Sequence, residues 1–94
     1  MSVTYDDVTN AQKAQGDVIR KTSLVFSDTF SQLTGSKVYL KNEFEQKTGS
    51  FKLRGAYYKI KNLTEDEKSK GVVAASAGNH AQGVALASAM EKIN

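Results

Sequence analysis

The sequence has no cysteine, no proline and no tryptophan, and its only histidine is His80. Without cysteine there can be no disulfide, no thiolate metal site and no cysteine nucleophile. A lone imidazole is too little for a histidine-based metal centre. The lack of cysteine fits a reducing compartment, and the cytoplasm is the expected location. Residues Met1 to Asp7 carry neither the basic nor the apolar region of a secretory signal. No apolar run approaches membrane-spanning length, so no membrane association is expected. Charge of one sign is also scarce: 13 Lys and Arg face 10 Asp and Glu, a net +3. The densest basic stretch, Lys59, Lys61, Lys68 and Lys70, is interrupted by Glu65, Asp66 and Glu67. A nucleic-acid surface needs uncompensated basic residues on one face, so nucleic acid is not an expected partner.

What is present suits one small domain at most, because 94 residues bury proportionally little surface. Apolar residues are spread along the chain, which argues for a folded rather than a disordered protein. Thr4 and Asp7 have capping-box spacing and predict a helix from Thr4 to about Gln15, with Tyr5, Val8 and Ala11 as its apolar stripe and Gly16 at its end. Val18 and Ile19 open an extended connection. Ser27 caps a short helix over 28–33 that Gly35 closes, and residues 38–40 read as a strand. A polar loop over 42–49 follows. Leu53, Ala56, Tyr57, Ile60 and Leu63 then recur at helical spacing. Thr64 and Glu67 form a second capping box, and Gly71 ends that helix. The apolar run 72–75 suits a buried parallel strand. After a turn, residues 80–92 form a small-residue helix whose Ala81, Val84, Ala85 and Ala89 allow close approach to a sheet. Strands alternate with helices and hairpin signals are missing, which predicts α/β layering. A parallel strand needs neighbours, so the chain, stopping at Asn94 after a βα unit, reads as unfinished.

Two segments could carry chemistry. In residues 48–56, Gly49 makes a turn and Ser50 caps the helix, which places Lys52 in the first helical turn. The macrodipole disfavours a further cation there, and Arg54 pushes the same way. An amine that is partly neutral near pH 7 can attack an aldehyde. For an arbitrary lysine, a solvated surface role is much commoner. In residues 75–80, free N–H groups at a helix start offer an anion site. Gly78 permits close backbone approach, and Ser76 and Asn79 add side-chain hydrogen bonds. The plainer reading makes Asn79 only the helix cap and His80 a structural residue. Neither G-x-G-x-x-G nor G-x-x-x-x-G-K-[ST] occurs, which excludes dinucleotide and P-loop readings. A reactive lysine beside an anion cradle suits a cofactor aldehyde and an amino-acid carboxylate.

Residues 38–43, Gln46, 48–52, 54–56 and 71–83 closely resemble the threonine dehydratases (threonine ammonia-lyases), members of the fold-type II or β-family pyridoxal-phosphate enzymes. The resemblance runs from about Val18 to the end. It implies the α/β fold of tryptophan synthase β-like enzymes, of which this chain is the amino-terminal part of a two-lobed, three-layer α/β/α architecture. Residues 1–70 would belong to the large domain with the lysine helix, and 71–94 would be the first strand-loop-helix of the small one. The cofactor would be pyridoxal 5'-phosphate, held covalently by Lys52, which would also move the substrate Cα proton. Phe51 would pack on the cofactor ring and Asn79 would bond its 3′-oxygen. Ser76, Ala77, Gly78, Asn79 and His80 would grip the substrate carboxylate. The implied reaction is β-elimination of L-threonine, with L-serine as the other substrate, giving 2-oxobutanoate or pyruvate and ammonia. The full-length form would be a homo-oligomer, a dimer or a tetramer.

Relatives differ at informative positions. Serine racemases share much of the lysine motif but typically have a serine where this chain has Ala77, and that hydroxyl is the base on the opposite face. A racemase-like enzyme is therefore the second reading, and a non-catalytic anion-binding or interaction protein the third. Cysteine and threonine synthases usually carry Lys-Asp-Arg, whereas here Leu53 follows Lys52. Where the family commonly has Thr-Pro-Leu this chain has Thr22, Ser23 and Leu24, with a local effect expected on backbone stiffness. The glycine-rich phosphate loop and the partner of the pyridine nitrogen lie downstream in the family. The 94-residue chain alone is thus expected to be inactive.

Overall fold

The computed structural model describes residues 1–94. Helix α1 spans Tyr5–Gln15, and both arms of the Thr4–Asp7 capping box are made. Its expected apolar stripe is not buried: Tyr5 and Val8 are exposed, and only Ala11 of the three is half-buried. A 3₁₀ turn at Gly16–Val18 follows, so Val18 closes a turn and the extended backbone begins at Ile19. Strand β1 is Leu24–Phe26, helix α2 Asp28–Thr34 and strand β2 Tyr39–Lys41. Ser27 caps α2 through Phe30 N–H, and Gly35 ends it in the left-handed region at φ 69°.

The sheet differs from the expected parallel layering. Strands β1 and β2 pair antiparallel, with Leu24 opposite Lys41 and Phe26 opposite Tyr39. Sequence reading missed β1 because three residues are too short for a period to show. It also overlooked that a helix, rather than a tight turn, can join antiparallel partners. Residues 72–75 form no strand, and Val73 is fully exposed. Apolar composition supplies a strand's preference, but pairing requires a neighbouring edge, and residues 72–75 meet neither β1 nor β2.

The core lies elsewhere. Helix α3 spans Lys52–Lys61, α4 Glu65–Ser69 and α5 Asn79–Met90. Leu53, Ala56, Tyr57 and Ile60 are buried on one stripe of α3, as their spacing requires, and they pack with Ala87 of α5. Burying Leu53 or Ile60 stabilises the fold by roughly 1.5–3 kcal/mol each. Helix α5 lies on α3 rather than on a sheet, so its buried face is Gly83, Ala87 and Ser88, while Ala85 and Ala89 are exposed. The Thr64–Glu67 capping box starts α4 as expected. Gly71 then turns the chain at φ 78°, and Lys68 pairs with Glu91 at 3.5 Å. No helix is long and apolar enough to cross a membrane.

Candidate active site

Lys52 lies in the first turn of α3, as expected, but it is the first helical residue and Ser50 is not the cap. Phe51 holds that position in helical backbone, and Ser50, itself buried, offers only a long 3.4 Å contact to Lys52 N–H. The Lys52 side chain enters none of the four ion pairs in the structure. Its Nζ lies 5.4 Å from the centroid of the exposed Phe51 ring. The amine is therefore open to a reaction partner.

Arg54 turns to Glu43 and bonds it with Nε and Nη2, each at 2.8 Å. Its charge is compensated there. The Glu43 carboxyl drops from 4.5 to about 2, first because Arg54 bonds it, with Thr22 adding a further bond.

The second segment sits at the start of α5. Gly78 is the N-cap and Asn79 the first helical residue, so the cap role for Asn79 is excluded. The first bond of the helix is Gln82 N–H to Gly78 O, which leaves the N–H groups of Asn79, His80 and Ala81 free. Ser76 Oγ accepts from Gly78 N–H at 3.2 Å and keeps its own proton to donate. Ser76, Ala77, Asn79 and His80 are exposed, and a Cβ placed on Gly78 would meet nothing within 4 Å. His80 also lines an apolar groove with Gly55, Ile60, Val73 and Val84.

Gly83 brings the two segments together. A Cβ there would lie 3.1 Å from Lys52 C, 3.1 Å from Leu53 N and 3.2 Å from Lys52 O. Glycine lets α5 rest on the peptide bond that follows the lysine without displacing it; a larger residue would push the two apart by a few tenths of an ångström. Asn79 precedes Gly83 by four residues and so shares its face of the helix. Gly83 has no evident role in the sequence beyond the run 71–83, although a glycine inside a helical pattern is itself a signal of close packing.

A polar network beneath this pair was also missed. The buried Gln46 side chain accepts from Arg20 N–H at 2.9 Å and donates to Arg20 O at 3.0 Å. Ser23 donates to Glu45 from its N–H at 3.0 Å and from its hydroxyl at 2.5 Å. A proline at 23 could make neither bond, which gives the departure at this position a physical role.

The pyridoxal-phosphate dependent enzyme family matches residues 16–94, and the chain belongs to that family. It is 56% identical over 85 residues to the L-threonine ammonia-lyase of Thermotoga maritima, covering 90% of this chain and 21% of that protein. It is 49% identical over 90 residues to the catabolic L-threonine dehydratase of Escherichia coli K12, covering 96% of this chain and 27% of that protein. The structure superposes on serine racemase from Dictyostelium discoideum with a TM-score of 0.88 at 43% identity, covering 98% of this chain and 30% of that one. The chain thus spans about a fifth to a quarter of the length of the curated relatives it matches. Its fold is the corresponding part of a fold-type II enzyme.

The residues present fit the family's cofactor at its aldehyde end. A primary amine outside any ion pair, an exposed aromatic ring beside it and the exposed Asn79 stand on helix starts joined at Gly83.

Proposed function

We propose that the protein catalyses pyridoxal-phosphate-dependent β-elimination of L-threonine, with L-serine as a second substrate. Pyridoxal phosphate supplies the aldehyde and the electron sink for charge developing at Cα. Lys52 Nζ holds the cofactor and later takes the Cα proton. Phe51 supports the ring, and Asn79 donates to its oxygen. The free N–H groups at the start of α5, with Ser76, bind the substrate carboxylate. Ala77 and Gly78 leave room for it, and His80 closes the loop. The β-hydroxyl leaves as water, and hydrolysis of the C–N bond releases ammonia with 2-oxobutanoate from threonine or pyruvate from serine.

The observation that carries this reading is the seat of Gly83 on the Lys52–Leu53 peptide bond, which packs the helix behind the 76–80 loop against the lysine turn and supports one shared site. Serine racemase activity is the second reading, favoured by the structural likeness to a serine racemase. It requires a proton donor on the face opposite Lys52, and the methyl group of Ala77 has none to exchange. We also assign residues 1–70 to the larger lobe and 71–94 to the smaller. The turn at Gly71, in the left-handed region at φ 78°, supports that boundary. Exposed Leu24, Val25 and Leu33 support assembly into a homo-oligomer, and the lack of cysteine supports a cytoplasmic location.

The test uses the protein as its gene encodes it. Borohydride reduction after loading with pyridoxal phosphate should place the adduct on Lys52 alone, and Lys52→Ala should abolish both adduct and turnover. L-threonine should yield 2-oxobutanoate, while L-serine yields pyruvate rather than D-serine. Gly83→Ala should keep the adduct but lower kcat by up to about 10-fold, because the added methyl crowds the lysine peptide at 3.1 Å and positioning errors at a site are costly. An adduct at another lysine, or D-serine as the main product, rejects the assignment.

A further inference from the structure

Three structural ties converge on Arg54, the third residue of α3. Its guanidinium grips both oxygens of Glu43, Nε to Oε2 and Nη2 to Oε1, each at 2.8 Å. Paired bonds of this kind fix orientation as well as distance, which an ammonium on a flexible stem does not. The same carboxylate accepts from the buried Thr22, Oγ1 to Oε1 at 2.6 Å, and Lys41 Nζ donates to Thr22 O at 2.6 Å. The third tie is to the backbone: Arg54 O accepts from Gln15 Nε2 of α1 at 2.8 Å. Helix α1, the segment leading into β1, the end of β2 and the turn after it are thus all bonded, directly or through Glu43 and Thr22, to a residue two positions beyond Lys52.

Lys52 has no comparable anchor of its own. Its Nζ makes no ion pair, and its backbone is met by Gly83 of α5 and by a long contact from Ser50. A network this dense is more than a solvated surface pair needs. The exposed Lys70–Asp66 pair, by contrast, joins residues of one helical turn and orders nothing distant.

We propose that Arg54, clamped by Glu43 and Thr22, is a positioning residue that fixes the first turn of α3 and thereby the direction in which Lys52 presents its amine. This rests on Lys52 being the lysine that holds the cofactor. The Arg54 fork matters for its grip, since Glu43 already compensates its charge. Lysine at position 54 would keep the charge and lose the grip.

The experiment compares Arg54→Met, Arg54→Lys and Glu43→Gln in the holoenzyme, with Lys70→Met as a control for loss of an exposed pair. Induced ellipticity per bound cofactor reads the orientation of the group on Lys52, and kcat and KM for L-threonine are measured alongside it. Arg54→Met should lower the ellipticity several-fold and kcat about 10- to 100-fold, with KM moving less than about 3-fold. Arg54→Lys should not recover either readout. Glu43→Gln, which keeps one acceptor oxygen, should give a smaller change in the same direction, and it serves if Arg54→Met fails to fold. Lys70→Met should match the parent. Wild-type ellipticity and kcat in any folded Arg54 or Glu43 variant, whatever its melting temperature, would overturn the proposal. Lys52→Ala separates the two failures. If it still forms the covalent adduct, the lysine assignment is wrong; if it does not, a null result at Arg54 counts against the clamp alone.

Discussion

The helix pair α3–α5 and the strand pair β1–β2 lie in one short chain, yet they are secured by different physics. All five buried apolar side chains belong to the helix pair. The strands bury none of their residues, and Leu24, Val25, Phe26, Tyr39 and Leu40 all remain largely exposed. What ties the strand region to the lysine helix is polar, the grip of Arg54 on Glu43, while Gln46 with Arg20 and Ser23 with Glu45 tie the segments flanking the strands to each other. Apolar packing is non-directional and sets only that α5 lies on α3. Hydrogen bonds are directional and set where the lysine turn sits relative to the rest.

The largest expected effect tests the apolar half. Leu53 is fully buried, so Leu53→Ala should cost about 2–5 kcal/mol. Leu33→Ala, on an exposed face of α2, should stay within about 0.5 kcal/mol. Thermal unfolding of the two variants checks this. Each kcal/mol moves Tm by roughly 4–8 °C in a chain of this size. Equal losses would mean that the strand region has a core of its own and would break the comparison.

The same division explains how much could be read in the sequence. Residues 53, 56, 57 and 60 announce the core of α3 because helical spacing repeats over several turns. The two capping boxes are legible for the same local reason: Thr4 with Asp7 and Thr64 with Glu67 are three residues apart. Lys52 and the loop 76–80 stand out as candidates through motifs at close spacing. The polar network was not found, because Gln46 meets Arg20 across 26 residues and Arg54 meets Thr22 across 32. Nothing local announces such a pair. The strand expected over 72–75 failed for the complementary reason, since its apolar run states a preference and pairing depends on a distant edge. The burial of α5 was misjudged because a helix of small residues can turn several faces inward, and Gly83 decides which one does.

A smaller effect tests the polar half through pH. The Glu43 carboxyl is held at about 2 in the fold against an ordinary 4.5, chiefly by its bond to Arg54. The folded state thus binds this proton less readily than the unfolded state. Stability from this group is fully present above pH 4.5 and is lost as pH falls towards 2. Glu45 is also lowered, first by its bond to the Ser23 hydroxyl, and adds to the same slope. Asp7 and Glu67 are lowered by their capping threonines and contribute in the same direction away from the network. Urea unfolding between pH 5 and 2 should therefore show a falling stability whose slope is reduced in Glu43→Gln. With both side chains partly open to solvent, about 1–2 kcal/mol is the scale expected for Glu43. An unchanged slope would show that the clamp adds little to the fold.

The smallest effect sharpens the comparison inside the strand region itself. Phe26 and Tyr39 face each other directly across β1 and β2, with ring centroids 5.3 Å apart and an interplanar angle of 69°. Edge-to-face pairs add about 0.5–1.5 kcal/mol when buried, and cross-strand pairs at exposed positions fall at the low end. Both rings are about half exposed, so little apolar area leaves water with them. Phe26→Ala should then cost about 0.5–1 kcal/mol, well short of Leu53→Ala, and leave the pH slope of Glu43 unchanged. A double-mutant cycle with Tyr39→Ala isolates the pair from the two strands' other losses. A coupling above about 1.5 kcal/mol would mean that the aromatic pair, not the polar network, holds the strands in register. The lysine helix would then be oriented by a small apolar cluster, and Arg54 would follow rather than lead.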